Sequence, residues 1–153
     1  MALDVPVDYA PNVQPISLPV TSKRNHVNKG IVLGWSGVDI AKQSFFEPRA
    51  PQEAIVEFMD TGECQRRFDG FASHISRDQI CTFPSNASCR ADSGGPLLIK
   101  TKHCWHIVGI VSYGLGCGSF PEVYTDVARH IAWIQRNVKP YNYKANNNRD
   151  FLP

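Results

Sequence analysis

The sequence predicts an all-β fold of short antiparallel strands that ends in a single helix. Its 153 residues include 11 glycines and 11 prolines, a composition that favours many turns over long helices. Short runs rich in β-branched and aromatic residues alternate with clusters of glycine, asparagine, serine and proline, as in a barrel or a sandwich. With 42% apolar residues the chain can bury the core of one domain.

Each element follows from its local pattern. Prolines recur from Pro6 to Pro19, so the stretch to about Leu18 is predicted to be extended rather than helical. Residues 21–30 form a polar, basic loop, interpreted as a solvated connection. The predicted strands are Ile31–Trp35, Ala54–Met59, Gln79–Phe83, Pro96–Lys100, Trp105–Ser112 and Glu122–Asp126.

A helix is predicted only near the C-terminal end. From Val127 to Val138 apolar residues recur every three or four positions, and Asp126 is a suitable N-cap. Pro140 is expected to stop this helix. Residues 139–153 form a tail with too little apolar content to pack, and we expect it to be mobile.

Charge and hydropathy exclude several classes of function. The 16 basic and 14 acidic residues give a net charge of +2, which offers no electrostatic footprint for nucleic acid or an anionic membrane. No apolar run approaches the roughly 20 residues that span a bilayer. The sequence therefore predicts neither a nucleic-acid partner nor a membrane span.

The five cysteines indicate an oxidising compartment, yet the N-terminus lacks the pattern of a signal peptide. Either the cysteines are reduced and intracellular, or the chain lacks its natural beginning. His103, Cys104 and His106 could offer metal ligands, but no second cluster completes a site, and a polar hairpin tip is the favoured interpretation. Neither a metal nor a cofactor is predicted.

The chemistry is concentrated in residues 89–97, Cys-Arg-Ala-Asp-Ser-Gly-Gly-Pro-Leu. A serine followed by glycines, on a tight turn between two strands, can be exposed as a nucleophile beside backbone N–H groups that stabilise an oxyanion. A turn of this kind alone is mostly structural. The string, however, resembles the Gly-Asp-Ser-Gly-Gly-Pro-Leu signature of the chymotrypsin-like, or trypsin-family, serine proteases.

Further segments resemble the same family in order and spacing. They are residues 13–19 (Val-Gln-Pro-Ile-Ser-Leu-Pro), 34–35 (Gly-Trp), 107–114 (Ile-Val-Gly-Ile-Val-Ser-Tyr-Gly), 121–127 (Pro-Glu-Val-Tyr-Thr-Asp-Val) and 133–134 (Trp-Ile), with Cys117 between. The resemblance implies a six-stranded antiparallel Greek-key barrel over residues 30–138, ending in the helix. This would be the C-terminal barrel of a two-barrel fold, with residues 1–29 as the inter-barrel linker.

The resemblance also implies the roles of the central residues. Ser93 matches the nucleophile, and Asp92 matches the carboxylate that pairs with the new α-amino group when a zymogen is cleaved. The backbone N–H groups of Ala91 and Ser93 would form the oxyanion hole. Ala91 stands where the family has glycine, which favours a flipped peptide and a weakened hole.

The implied substrate pocket departs from the family's pattern. Ala87 occupies the base, where trypsin-like members carry aspartate, and Glu122 replaces a glycine at or near the floor. Because Gly114 leaves the wall open, a large side chain could enter, aromatic or basic. Alternatively, Glu122 bonds to Ser88 or water and only shortens the pocket. The expected lining comprises Ala87, Ser88, Ser112, Tyr113, Gly114 and Glu122.

Two disulfides are implied by the resemblance, Cys64 with Cys81 and Cys89 with Cys117. The partners of a third family bridge are replaced by Gly30 and Ile99. Ser17 stands where many members have a cysteine that tethers an activation segment. Cys104 is left over, and its pairing stays open.

The family's triad also needs a histidine and an aspartate, and no position here has their setting. We therefore expect a secreted serine endopeptidase, acting on protein or peptide substrates, of which an N-terminal barrel is missing. The 153-residue chain alone is expected to be inactive. A non-catalytic homologue that binds or regulates a partner and a truncated product without function are the alternatives.

Overall fold

The computed structural model describes residues 3–21, 27–35, 37–39, 44–46, 48–71, 74–84, 92–101, 104–115 and 119–138. For residues 37–39 and 44–46 only the course of the backbone is described. The tail over residues 139–153, expected to be mobile, lies outside the described residues.

Six strands close an antiparallel barrel. They are β1 (Lys29–Gly34), β4 (Gln52–Met59), β5 (Gln79–Thr82), β6 (Pro96–Lys100), β7 (Trp105–Gly114) and β8 (Glu122–Asp126). Their order around the barrel is β1-β4-β5-β8-β7-β6, while β2 (Gly37–Asp39) and β3 (Ser44–Phe46) form a separate hairpin. Since β5 is followed along the chain by β6, which is not its neighbour, the topology is a Greek key. The predicted fold class is confirmed.

The barrel closes through β1. On one side Ile31 lies opposite Ile55 of β4, and on the other side it lies opposite Leu98 of β6. Gly30 and Ile99 flank the pair Ile31 and Leu98, so the two positions implied for a lost disulfide are on adjacent strands. A Cβ at Gly30 would approach Leu97 Cδ1 to 2.8 Å, and Ile99 is buried.

Successive side chains of a strand point to opposite faces of the sheet, so the barrel sheet has a hydrophobic core on each face. The core inside the barrel consists of Val32, Val56, Ile80, Leu97, Ile99, Val108 and Tyr124. The outer core lies between the sheet and the first helix and consists of Met59, Cys64, Phe68, Ile75, Cys81 and Val123. Neighbouring residues of one strand, such as Cys81 and Thr82, therefore face different surroundings.

The helix α1 (Thr61–Phe68) was not predicted, and the expectation of a single C-terminal helix is wrong. Asp60 caps it by accepting hydrogen bonds from the N–H groups of Gly62, at 2.8 Å, and Glu63, at 3.2 Å. With eight residues and only Cys64 and Phe68 buried, one helical turn apart, the segment shows too few apolar positions to reveal its period.

The C-terminal α-helix is shorter than the stretch from Val127 to Val138 in which apolar residues recur at helical spacing. Asp126 caps a 3₁₀ turn over Val127–His130, with its Oδ1 3.0 Å from the N–H of Ala128. The α-helix α2 follows over Ile131–Asn137 and ends before Pro140. No helix in the described ranges is long and apolar enough to cross a membrane.

The N-terminal segment over residues 3–21 contains no helix, as predicted, but it is not extended throughout. Ala10 and Val13 exchange two backbone hydrogen bonds, at 2.9 and 3.0 Å, around a turn at Pro11 and Asn12. The segment joins the sheet at Ser17, whose N–H lies 3.2 Å from the carbonyl oxygen of Trp105 and whose carbonyl accepts from Ile107 at 3.1 Å. Most of its apolar side chains stay exposed, with Val20 at 91% and Val5 at 75%. This segment therefore contributes little to the core.

One disulfide links α1 to the barrel. Cys64 and Cys81 are bonded across 17 residues of sequence, and both are buried in the outer core. This confirms the first implied pairing. The second, between Cys89 and Cys117, lies outside the described residues.

Replacing both bonded cysteines by alanine should lower the free energy of unfolding by about 3 kcal/mol, because the unfolded chain regains the entropy of a short loop. Urea denaturation without reductant measures the change. The matched control is Cys104→Ala, at an exposed free thiol, which should shift the free energy by less than about 0.5 kcal/mol. Equal losses in both proteins would contradict the stabilising role of the bridge.

Candidate functional site

Ser93 lies exposed on a tight turn between the buried Asp92 and strand β6. The N–H of Gly95 donates to the carbonyl oxygen of Asp92 at 2.8 Å, and Gly94 has a φ of +87°. A four-residue turn with a left-handed third residue is a type II turn, in which glycine fits best at that position. The Ser-Gly-Gly sequence therefore places the serine side chain at the outer corner of the turn.

The same turn is fastened to strand β7. The N–H of Gly94 donates to the carbonyl of Val111, and the N–H of Val111 donates to the carbonyl of Gly95, both at 2.9 Å. Two backbone bonds to one residue fix the turn against the barrel wall. The position of Ser93 is thus set by backbone geometry.

The carboxylate of Asp92 points inward, away from the serine, and is 6% exposed. Its Oδ1 accepts a hydrogen bond from the backbone N–H of Trp35 at 2.8 Å, across 57 residues of sequence. A charged acceptor makes this bond stronger than one between neutral groups. It ties the serine turn to the end of β1.

Gly34 makes room for that carboxylate. A Cβ at this position would collide with the carboxylate carbon and both oxygens of Asp92. The Gly34-Trp35 pair therefore has a physical role in the site: the glycine admits the carboxylate and the next residue donates to it. Trp35 itself is 59% exposed.

A second buried carboxylate lies at one end of the barrel interior. Glu122 is 7% exposed, and its Oε2 accepts a hydrogen bond from the Tyr124 hydroxyl at 2.5 Å. Tyr124 is fully buried in the inner core. The tyrosine thus places the carboxylate on the inward face of β8.

Thr82 lies directly opposite Glu122 on the neighbouring strand β5. Its exposure is 0%, and its hydroxyl oxygen has no hydrogen-bond partner among the described residues. On the other side Glu122 is opposite Gly114 of β7, which carries no side chain. Directly paired residues share a face of the sheet, so the three positions form one row at this end of the barrel.

Comparison with known proteins decides the family. A family model described as Trypsin matches residues 1–134. The chain is 36% identical over 141 residues to CLIP domain-containing serine protease B9 of Anopheles gambiae, covering 87% of this chain and 33% of that protein.

Two further relatives agree. Serine protease 7 of Drosophila melanogaster is 33% identical over 148 residues, which cover 92% of this chain and 37% of that protein. Human testisin is 32% identical over 142 residues, 88% of this chain and 45% of its own length. The chain belongs to the trypsin family of serine proteases. It spans between a third and a half of the length of these relatives.

The other residues that the family resemblance assigns to the pocket and the oxyanion hole do not lie together with Glu122 and Gly114 in the described structure. Ser112 is exposed at a β-bulge, where the register between β7 and β8 shifts. Tyr113 is half-buried, and its ring meets Phe68 of α1 edge-on with centroids 6.1 Å apart. Ala87, Ser88 and Ala91 lie outside the described residues.

Sequence reasoning missed Thr82 and Tyr124 as members of the site. The available signal was the two-residue period of strands, which places Ile80 and Thr82 on the same face of the predicted strand Gln79–Phe83. Recognising Thr82 as a neighbour of Glu122 also required the pairing of β5 with β8, which no single-strand pattern contains.

No described histidine lies within hydrogen-bonding distance of the Ser93 hydroxyl. His106 instead contacts the thiol of Cys104, with Nε2 3.1 Å from Sγ, and His130 precedes α2. His26 and His103 lie outside the described residues. Among the described side chains, no group of three could hold a metal ion.

Gly34→Ala should lower the free energy of unfolding by about 2 kcal/mol, because the new methyl group displaces the carboxylate of Asp92 from its hydrogen bond. Urea denaturation measures the loss. Gly114→Ala is the matched control, since a Cβ there has no neighbour nearer than 3.6 Å and should change stability by less than about 0.5 kcal/mol. A neutral Gly34→Ala would show that the carboxylate is not confined there.

Thr82→Val should raise the free energy of unfolding by about 1 kcal/mol, because it removes a buried hydroxyl that has no partner. The control is Thr125→Val, on β8 at a half-buried position, where we expect a change within about 0.5 kcal/mol. Thermal and urea unfolding check both variants. A loss of stability in Thr82→Val alone would contradict an unpartnered hydroxyl.

Proposed function

We propose that this chain is the nucleophile-bearing part of a serine endopeptidase that hydrolyses peptide bonds through an acyl-enzyme on Ser93. The observation that carries the proposal is the exposed Ser93 at the corner of a rigid turn, anchored from within by the buried Asp92. A nucleophile must be accessible and held in one geometry, and this turn supplies both.

The proposed chemistry has two steps. The Ser93 oxygen attacks the carbonyl carbon of the scissile peptide bond, its proton passes to a general base, and the C–N bond breaks to release the amine with that proton. Water then attacks the ester carbonyl and frees the acid and Ser93. The N–H of Ser93 makes no hydrogen bond within the described residues, which suits a donor to the developing oxyanion.

We place the general base and the carboxylate that orients it outside these 153 residues. Supporting this, His74, His106 and His130 all lie away from hydrogen-bonding reach of the serine, and none of the five histidines has the family's setting. The much greater length of the relatives is consistent with a further barrel that supplies these groups.

Large apolar areas on a protein surface usually mark interfaces. Several large apolar side chains of the described residues are exposed, which supports a partner barrel that covers them. The most exposed of these side chains are Leu3, Val5, Tyr9 and Val20 of the N-terminal segment, together with Trp35, Ile55, Trp133 and Val138. We also propose an extracellular location for the complete protein, because the buried Cys64–Cys81 disulfide needs an oxidising compartment.

The second candidate is a non-catalytic homologue that binds or regulates a partner. Ala91, in place of the glycine whose N–H completes the oxyanion hole, is the feature that favours it. Loss of one oxyanion donor typically lowers turnover by about 100- to 1000-fold. Active-site labelling separates the two candidates.

The complete protein, after zymogen cleavage, should be labelled covalently by a fluorophosphonate, since an activated serine oxygen attacks the phosphorus of this reagent and displaces fluoride. Ser93→Ala should abolish labelling, whereas Ser76→Ala, in the loop before β5, should retain it. The 153-residue chain alone should show neither labelling nor turnover, because no histidine of the described residues lies within hydrogen-bonding reach of Ser93 and we place the base outside this chain.

Gel fluorescence and mass spectrometry locate the label. Absence of labelling in the cleaved complete protein would favour the non-catalytic homologue. Turnover by the purified 153-residue chain that disappears in Ser93→Ala would contradict the proposed external base.

A further inference from the structure

A thiol and an imidazole are in contact where the β6–β7 hairpin turns. The Sγ of Cys104 lies 3.1 Å from Nε2 of His106, and Cys104 is an exposed thiol outside any disulfide. The two residues are two positions apart at the start of β7, and side chains of an extended chain alternate, so both point to the same side. A sulfur nucleophile within hydrogen-bonding distance of a base is the arrangement that activates a cysteine.

The backbone holds both members of this pair in place. The N–H of Thr101 donates to the carbonyl of Cys104 at 3.0 Å, and the N–H of Cys104 donates to the Thr101 hydroxyl oxygen at 3.3 Å. His106 is opposite Ile99 of β6 on one side and is bridged to Ser17 of the N-terminal segment on the other. The contact between the sulfur and the ring is therefore part of the fold.

The pair is remote from the serine turn. That turn is bonded to Val111, five residues farther along β7 than His106, which is about 16 Å along a strand at about 3.3 Å per residue. Glu122 and Gly114 lie opposite each other at the far end of the same strand. The proposed hydrolysis makes no use of the thiol or the imidazole, so their contact has a separate explanation.

We propose that Cys104, with His106 as its base, is a site of thiol–disulfide exchange with a small-molecule disulfide. The thiol proton passes to Nε2 of His106, and the sulfur attacks one sulfur atom of the disulfide. A new S–S bond to Cys104 forms while the original S–S bond breaks, and the leaving thiolate takes the proton from the imidazolium. Cys104 is oxidised to a mixed disulfide, and the other half of the reagent is reduced to a thiol.

The surroundings of the sulfur favour this class of reagent. The Cys64–Cys81 bridge favours an oxidising compartment, in which disulfides are the available electrophiles. That bridge is buried, so Cys104 reacts with a reagent that arrives from solvent. The Thr101 hydroxyl, 3.6 Å from the sulfur, and His106 flank it, so a small reagent reaches it more easily than a second folded chain does.

The exchange can be measured on the 153-residue chain with glutathione disulfide at neutral pH. Intact-mass spectrometry follows the rate, and tandem mass spectrometry locates the added group. We expect a glutathione adduct at Cys104, absent from Cys104→Ser, which separates this thiol from the other cysteines. His106→Gln keeps a polar side chain but removes the base, and should slow the exchange by at least about tenfold.

Three controls separate the role of the base from other effects. His74→Gln, at an exposed position in the loop before β5, should exchange at the rate of the parent. In concentrated urea, where the pair is dispersed, the parent and His106→Gln should react equally. Ser93→Ala should also exchange as the parent does, so failure of the proposed hydrolysis and failure of the exchange are distinguishable.

Three results would overturn the inference. The first is an equal rate for the folded parent and folded His106→Gln, since the imidazole would then contribute nothing. The second is a difference between them that persists in concentrated urea, because the effect would then not arise from the contact in the fold. The third is a disulfide-linked dimer through Cys104 in place of the glutathione adduct, which would assign the thiol to a second copy of the chain.

Discussion

The buried carboxylate of Asp92 connects the serine turn to the end of strand β1. Asp92 precedes Ser93, and its buried carboxylate accepts a hydrogen bond from the N–H of Trp35, just after the end of β1. Burying a charged group is costly unless it is hydrogen-bonded, so this end of β1 and the serine turn must fold together. Gly34 is part of the same arrangement, because any side chain there would occupy the place of the carboxylate. Through this contact a residue 57 positions upstream determines where the proposed nucleophile stands.

Strand alternation separates an inner core from an outer core, and neighbouring residues near the site belong to different ones. Cys81 faces outward and is cross-linked to α1, while the next residue, Thr82, faces inward at the row with Glu122. Strand β7 connects the serine turn, at Val111, with the end of this row, at Gly114. The bulge at Ser112 lies between them and changes the register there. The serine turn and the buried row are therefore both attached to strand β7.

Much of this could be predicted from sequence, and the exceptions have physical reasons. The strands of the barrel were found because β-branched residues and turn residues alternate clearly, as in Trp105–Ser112. Ser93 was found because residues 89–97 resemble the family's signature string, and the glycine at position 94 permits the left-handed backbone conformation that the turn requires. The helix α1 was missed because only Cys64 and Phe68 mark its buried side. Thr82 was missed because its importance depends on strand pairing, which is a long-range property.

Thr82 carries a cost in stability. Its buried hydroxyl has no partner in the part of the chain that the structure describes, and a residue of the same shape without the hydroxyl would remove this cost. A fold selected only for stability would have valine there, since the neighbouring Ile80 and Tyr124 already form a well-packed inner core. Proteins retain such unfavourable groups where binding uses them, and the stabilising replacement then weakens function. The packing of the barrel alone therefore does not account for a buried hydroxyl at Thr82 beside Glu122.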